Sequence, residues 1–156
     1  MDKTKLYSRL AIQLEGLLDG ESNMIANMAN TSALLFMEME QINWVGFYIF
    51  DKNEDELILG PFQGNPACVR IKPGKGVCGT AFATETTQRV DDVHQFAGHI
   101  ACDAASNSEI VIPVYHGNQC IAVLDIDSPI LNRFEIEDQK GLENLTKIVE
   151  NTFKLD

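Results

Sequence analysis

The sequence predicts an α+β fold: a mainly antiparallel central sheet flanked by N-terminal and C-terminal helices. Three observations lead there. Leucines recur at helical spacing near the N-terminus, an apolar stripe of the same period closes the chain, and β-branched and aromatic runs separated by turn residues fill the middle. The chain has 156 residues, a length that suits one domain over residues 1–156 and suffices for a hydrophobic core without staples.

Leu6, Leu10, Leu14, Leu17 and Leu18 set a first helix over residues 4–19, ended by Gly20. Residues 22–40 contain no Pro or Gly and are rich in Ala, Leu and Met, which predicts a second helix. Its methionines, Met24, Met28 and Met37, suit adaptable core or dimer packing. Asn43–Phe50 reads as a strand, Asp51–Asp55 as a turn and Glu56–Gly60 as the returning strand. Prolines and glycines across residues 61–76 predict loops around a short strand at Ala67–Ile71. A short helix follows at Val77–Thr84, then a brief strand at Arg89–Val90. Residues 92–107 lack a period and read as a long loop with some helix. Ser108–Tyr115 and Gln119–Ser128 form the strongest strand pair, turning at His116-Gly117-Asn118. Ile136, Leu142, Leu145, Ile148, Val149 and Phe153 give the tail, Glu135–Lys154, one apolar stripe.

Twelve Lys and Arg against 23 Asp and Glu leave a formal charge of -11. That balance argues against nucleic acid and anionic membrane as partners, because both need a basic footprint. The first residues lack a signal-peptide pattern and no apolar run reaches membrane-span length, so a cytoplasmic location is expected. There thiols stay reduced, which makes the four cysteines poor candidates for structural staples. Their spacing offers no CxxC zinc pattern and the histidines no HxxxH pair, so no metal is expected.

Each cysteine taken alone is most simply a buried small hydrophobe. Context separates them. Cys78 follows a glycine-rich turn at a helix start, where the positive end of the helix and nearby Lys75 would favour a thiolate. Cys102 lies in a polar loop beside His99 and Asp103. Cys68 borders loops that would let it move. Cys120 begins a core strand and reads as inert.

A second group is acidic. Asp125 and Asp127 are two apart on a strand and share a face. If Gly117 centres the turn, Glu109 faces Asp125 directly. The simple alternative is a solvated sheet edge, with Asp127 as a turn former. Three acids on one face of otherwise core-like strands favour a binding or catalytic role. The glycine-rich turns lack the Walker spacing, although their N–H groups suit a small anion such as an amino-acid carboxylate.

The segments NWVGFYIF, LGPFQGNPACVRI, GKGVCGTA, DDVHQFAGHIACDAASNSEIVIPV and VLDIDSP resemble the free methionine-R-sulfoxide reductases, a GAF-domain family. The resemblance runs from about Asn43 to Phe134. It implies a GAF-like domain and a thiol mechanism. A cysteine thiolate attacks the sulfoxide sulfur, methionine leaves, and the resulting sulfenic acid condenses with a second cysteine. A thioredoxin-type reductant reopens that disulfide, and no cofactor is needed. By motif, Cys102 is the implied nucleophile and Cys68 the resolving thiol. Cys78 also matches a family cysteine, so the local thiolate argument leaves it open as the attacker. Glu109, Asp125 and Asp127 match acidic pocket residues that would bind the substrate ammonium and, if one is protonated, donate to the sulfoxide oxygen. Trp44 and Tyr48 would wall the methyl-sulfoxide end, although either also suits the core. The family is often dimeric, and Leu6, Leu10, Leu14, Met24 and Met28 suggest a homodimer through the helices. GAF domains also act as small-ligand sensors without turnover, which is the alternative, as is a thiol-based redox sensor.

Overall fold

Among the described residues, hydrophobic periodicity places four α-helices and six strands. The computed structural model of the chain describes residues 2–99 and 105–154. The elements are α1 (Lys3–Leu18), α2 (Met24–Glu38), β1 (Trp44–Asp51), β2 (Glu56–Gly64), β3 (Arg70–Ile71), α3 (Gly76–Thr84), β4 (Gln88–Val90), β5 (Ser108–His116), β6 (Gln119–Ser128) and α4 (Ile136–Glu150). A 3-10 turn at Val93–Gln95 precedes β5. The strands form one sheet in the order β3-β2-β1-β6-β5-β4, each neighbouring pair antiparallel. The α+β expectation holds.

The sheet has two unlike faces. One carries Val45, Phe47, Ile110, Ile112, Ala122, Leu124 and Ile126, all buried against the leucines of α1, Met28 and Leu35 of α2, and Leu142, Leu145 and Val149 of α4. The period-two pattern of β1, β5 and β6 sends every second residue to this face. The other face carries Trp44, Tyr48, Val111 and Val123, roofed by Val77, Cys78 and Ala81 of α3.

The chain ends are tied together by Asp138, which is fully buried. Its carboxylate accepts from Lys3 Nζ at 2.6 Å, Tyr7 OH at 2.7 Å, the Glu135 N–H at 2.8 Å and Arg133 Nη1 at 3.4 Å. The Glu135 contact is half of a capping box that opens α4. Burial pushes the Asp138 pKa up, but the contacts with Lys3, Glu135, Tyr7 and Arg133 outweigh it, and the net shift is downward. Gly141 is required beside this clasp, because a Cβ there would run into the Tyr7 ring.

Several sequence expectations need correction. β2 runs past Gly60 to Gly64, through Pro61. On its β3 side the pairing ends with the Leu59 N–H donating to the Val69 carbonyl at 2.9 Å, so the missing proline N–H breaks no ladder there. The strand expected over Ala67–Ile71 is only Arg70–Ile71. Helix α4 stops at Glu150, and Ile136 is 42% exposed rather than part of the buried stripe. Glu109 pairs with Asp127, not Asp125. A two-residue turn at Gly117-Asn118 and a one-residue shift between Val114 and Tyr115 displace the register. Leu10, Leu14 and Met28 are wholly inside the chain, so they offer nothing to a dimer surface. Among the described residues, no helix is long and apolar enough to cross a membrane.

Candidate active site

The register assembles the site in rungs. Trp44, Asp127 and Glu109 lie side by side across β1, β6 and β5, and Gly46, Asp125 and Val111 form the next rung. Directly paired residues share a face. Glu109, Asp125 and Asp127 therefore converge on the face roofed by α3, as the spacing expectation required, although with a different pairing. They line one small cavity of about 40 Å³ together with Trp44, Tyr48 and Cys78.

Gly46 makes this floor possible. A Cβ there would overlap Phe62 and approach the Trp44 ring at 2.8 Å, and it would stand on the same face as its partner Asp125. The aromatic wall is a stack. Trp44 lies 5.2 Å from Phe62 and 6.0 Å from Tyr48, centroid to centroid. Both polar tips are anchored: Trp44 Nε1 donates to the Asn65 carbonyl at 3.0 Å and Tyr48 OH to the Cys68 carbonyl at 2.8 Å. The two aromatics are thus buried wall residues whose hydrogen bonds hold the segment 65–68 at the cavity rim.

The three carboxyls are each at least nine-tenths buried. Burial, followed by the charges of Asp125 and Asp127, pushes the Glu109 pKa well above the usual glutamate range. Burial also raises Asp125, against the opposing effect of hydrogen bonding with Glu109, Cys78 and Asp127. Asp125 Oδ1 is buried without a hydrogen-bond partner. The buried part of the site is therefore electron-rich, with Lys75 of the lining left exposed, and it favours a proton on Glu109.

The cysteines divide differently from the local argument. Cys78 is the third residue of α3, but it is 4% exposed. Burial first, then Asp125, Glu109 and Asp127, push its thiol pKa well up. The helix-start expectation of a stabilised thiolate is overturned: three carboxyls from β5 and β6 outweigh the helix end. Cys68 is half-buried and disulfide-bonded, while Cys78 and Cys120 are free thiols. Cys120 sits at the opposite end of β6 from the acids, with Sγ 3.6 Å from the Ala122 carbonyl. Cys102 lies outside the described residues.

Sequence reasoning missed Ser106 and Ala67, which also line the cavity, and did not give His99 a place in it. Ser106 is 6% exposed and its Oγ lies 3.3 Å from Asn43 Nδ2. Its segment is joined to the end of β6 by the Asn107 N–H donating to the Ser128 carbonyl at 2.8 Å. Nothing local in an aperiodic loop announces such a contact. The Cys78, Glu109 and Asp125 side chains also bring one possible metal-ligating atom each within 4.8 Å of one another.

An antiparallel sheet with helices on one face and a pocket under a short helix on the other defines a GAF domain, and the GAF domain model matches residues 27–153. The free methionine-R-sulfoxide reductase of Escherichia coli is 54% identical over 150 residues, covering 96% of this chain and 90% of that protein. Its namesake in Saccharomyces cerevisiae is 42% identical over 155 residues, covering 96% and 86%. The free methionine-R-sulfoxide reductase of Neisseria meningitidis, solved with its substrate, superposes with a TM-score of 0.94 at 45% identity, covering 98% of this chain and 91% of the other. The chain belongs to the free methionine-R-sulfoxide reductases, an oxidoreductase family built on the GAF domain.

Proposed function

We propose that the protein reduces free L-methionine-R-sulfoxide to methionine with its own cysteines, acting as one domain. The observation that carries this reading is the burial of Glu109, Asp125 and Asp127 together under an aromatic wall, in a pocket whose lining lysine, Lys75, is exposed. A free amino acid brings a cation to the buried acids as its ammonium, and Asp125 Oδ1 is an acceptor in want of a donor. Trp44 and Tyr48 offer the apolar surface for the methyl-sulfoxide end.

Chemistry at the sulfoxide needs an acid and a nucleophile. Glu109, kept protonated by burial among carboxyls, is suited to donate to the sulfoxide oxygen as negative charge develops there. The Cys102 thiolate attacks the sulfur, the oxygen passes to the cysteine as sulfenic acid, and methionine leaves. The Cys68 thiolate then attacks the sulfenic sulfur, and the hydroxide it displaces takes a proton from solvent and leaves as water, giving a Cys68–Cys102 disulfide. A thioredoxin-type dithiol reduces it by exchange and is itself oxidised. The rise in the Cys78 pKa supports Cys102 over Cys78 as the attacker, since only the thiolate is nucleophilic. No cofactor enters this scheme. A reducing cytoplasm suits the dithiol step.

A homodimer remains the expected assembly. Leu6 and Met24 are only partly buried, and Ile12, Leu17, Ile25, Phe36 and Met37 expose apolar surface on α1 and α2. The activity is tested by product analysis with separated R and S sulfoxides of free methionine. Methionine from the R epimer alone is expected. Binding without methionine release would instead make the domain a sensor.

A further inference from the structure

We propose that Cys78, Glu109 and Asp125 form a binding site for a thiophilic divalent cation of the zinc and cadmium class. The three side chains come from α3, β5 and β6, so no local spacing reveals them. Their ligating atoms lie within 4.8 Å of one another. A tetrahedral centre with zinc–sulfur and zinc–oxygen bonds of about 2.3 and 2.1 Å sets neighbouring ligands about 3.5 Å apart. Rotation of the carboxyl groups about their side-chain torsions closes that difference.

A second observation points to a ligand. Asp125 is 5% exposed, lines the cavity, and keeps Oδ1 without a hydrogen-bond partner. Such an atom wants either a donor or a cation. A dication displaces the protons of Cys78 and Glu109 as it binds, and the thiolate and two carboxylates so formed are neutralised by it in large part. The sulfur selects the metal: zinc and cadmium accept thiolate, whereas magnesium and calcium demand oxygen shells of six or more. Three protein ligands leave a fourth position open, and that position faces the cavity. A cation held there occupies the floor on which the acids would meet a substrate, so it blocks the pocket. This site goes beyond the reductase reading and stands without it.

The test uses the full chain with Cys68→Ser, Cys102→Ser and Cys120→Ser, so that Cys78 is the only thiol. Cadmium chloride is added and the ultraviolet thiolate-to-metal charge-transfer band is followed. A saturating band at one cadmium per chain is expected. Adding Cys78→Ser removes it, and Glu109→Gln or Asp125→Asn each raises the midpoint by about tenfold or more. Absence of the band, or a midpoint indifferent to both carboxyl changes, overturns the proposal. Should the triple variant fail to fold, anomalous diffraction from wild-type crystals soaked in cadmium decides. A peak between the three side chains supports the site, and no peak there refutes it.

Discussion

Asp138→Asn tests the clasp that joins the two ends of the chain. The aspartate is wholly buried and its two oxygens serve four donors. Asparagine keeps the shape, removes the charge and turns an NH2 toward one pair of donors. Breaking a buried ion pair from one side costs about 3–5 kcal/mol. The lower end applies, because Lys3 is 28% exposed and keeps its contact with Glu135. That second contact adds little, since the Glu135 side chain is 63% exposed. A loss of about 3 kcal/mol in a chain of this size lowers Tm by about 6–12 °C. Acid should erase the difference. The Asp138 pKa lies below the ordinary 3.8 in the folded chain. Its contribution is therefore complete above about pH 4 and fades as pH falls through the folded value. Calorimetry of both proteins from pH 7 to pH 2.5 measures this. A Tm gap under about 2 °C at pH 7, or one that does not shrink on acidification, would refute the reasoning.

Three further outcomes are expected. Glu109→Gln and Asp127→Asn should each lower turnover by about 10²–10³, the usual range for losing a general acid or an oxyanion donor, with far smaller changes in thermal stability; near-normal rates would leave these buried acids without a part in the reaction. In single-turnover assays Cys102→Ser should release no methionine, Cys68→Ser about one per chain before stalling when thioredoxin is the sole reductant, and Cys78→Ser and Cys120→Ser a normal burst. Loss of the burst in Cys78→Ser with its survival in Cys102→Ser would exchange the two assignments. Sedimentation at micromolar concentration should give the mass of two chains, and a one-chain mass would reject the dimer.

What the sequence made legible follows physical range. Strands β1, β5 and β6 carry a period of two, which local sterics and burial impose, so both their positions and the shared face of Asp125 and Asp127 could be read directly. Pro61 was misleading for the opposite reason. Proline signals a loop unless the strand lacks a neighbour on its N–H side, and the shortness of β3 is a tertiary fact. The pairing of Glu109 slipped by one strand position pair because the irregularity at Val114 and Tyr115 leaves no mark in a smooth apolar run. Cys78 shows the limit most clearly. Helix-end electrostatics is a local property and can be inferred from Gly76 and Lys75, but the burial and the three carboxyls that override it arrive from strands more than thirty residues away in sequence. Trp44 and Tyr48 were ambiguous between core and pocket, and they are both: buried rings that form the wall.

The two sheet faces have opposite energetics, and this gives a test that needs no catalysis. One face is a continuous apolar core under α1, α2 and α4. The other holds three carboxyls and a thiol beneath nine residues of α3, where burial and the neighbouring carboxyls push the pKa values of Glu109 and Cys78 well up. That arrangement weakens the fold unless a cation enters. A ligand bearing an ammonium should therefore stabilise the protein, whereas the same ligand with a neutral amide there should not. Free L-methionine at about a hundred times its Kd adds about 2.7 kcal/mol by mass action. For a chain of this size that raises Tm by about 5–11 °C. N-acetyl-methionine at the same concentration should leave Tm unchanged, because its amide cannot offset the carboxylates and leaves a buried acceptor without a full partner. Scanning calorimetry with chelator present, run with both ligands and with the Asp125→Asn variant, separates the terms. The variant should lose most of the shift from L-methionine. Equal stabilisation by the free and acetylated ligands would show that the acids do not recognise the ammonium, and the specificity for a free amino acid would have to lie elsewhere in the pocket.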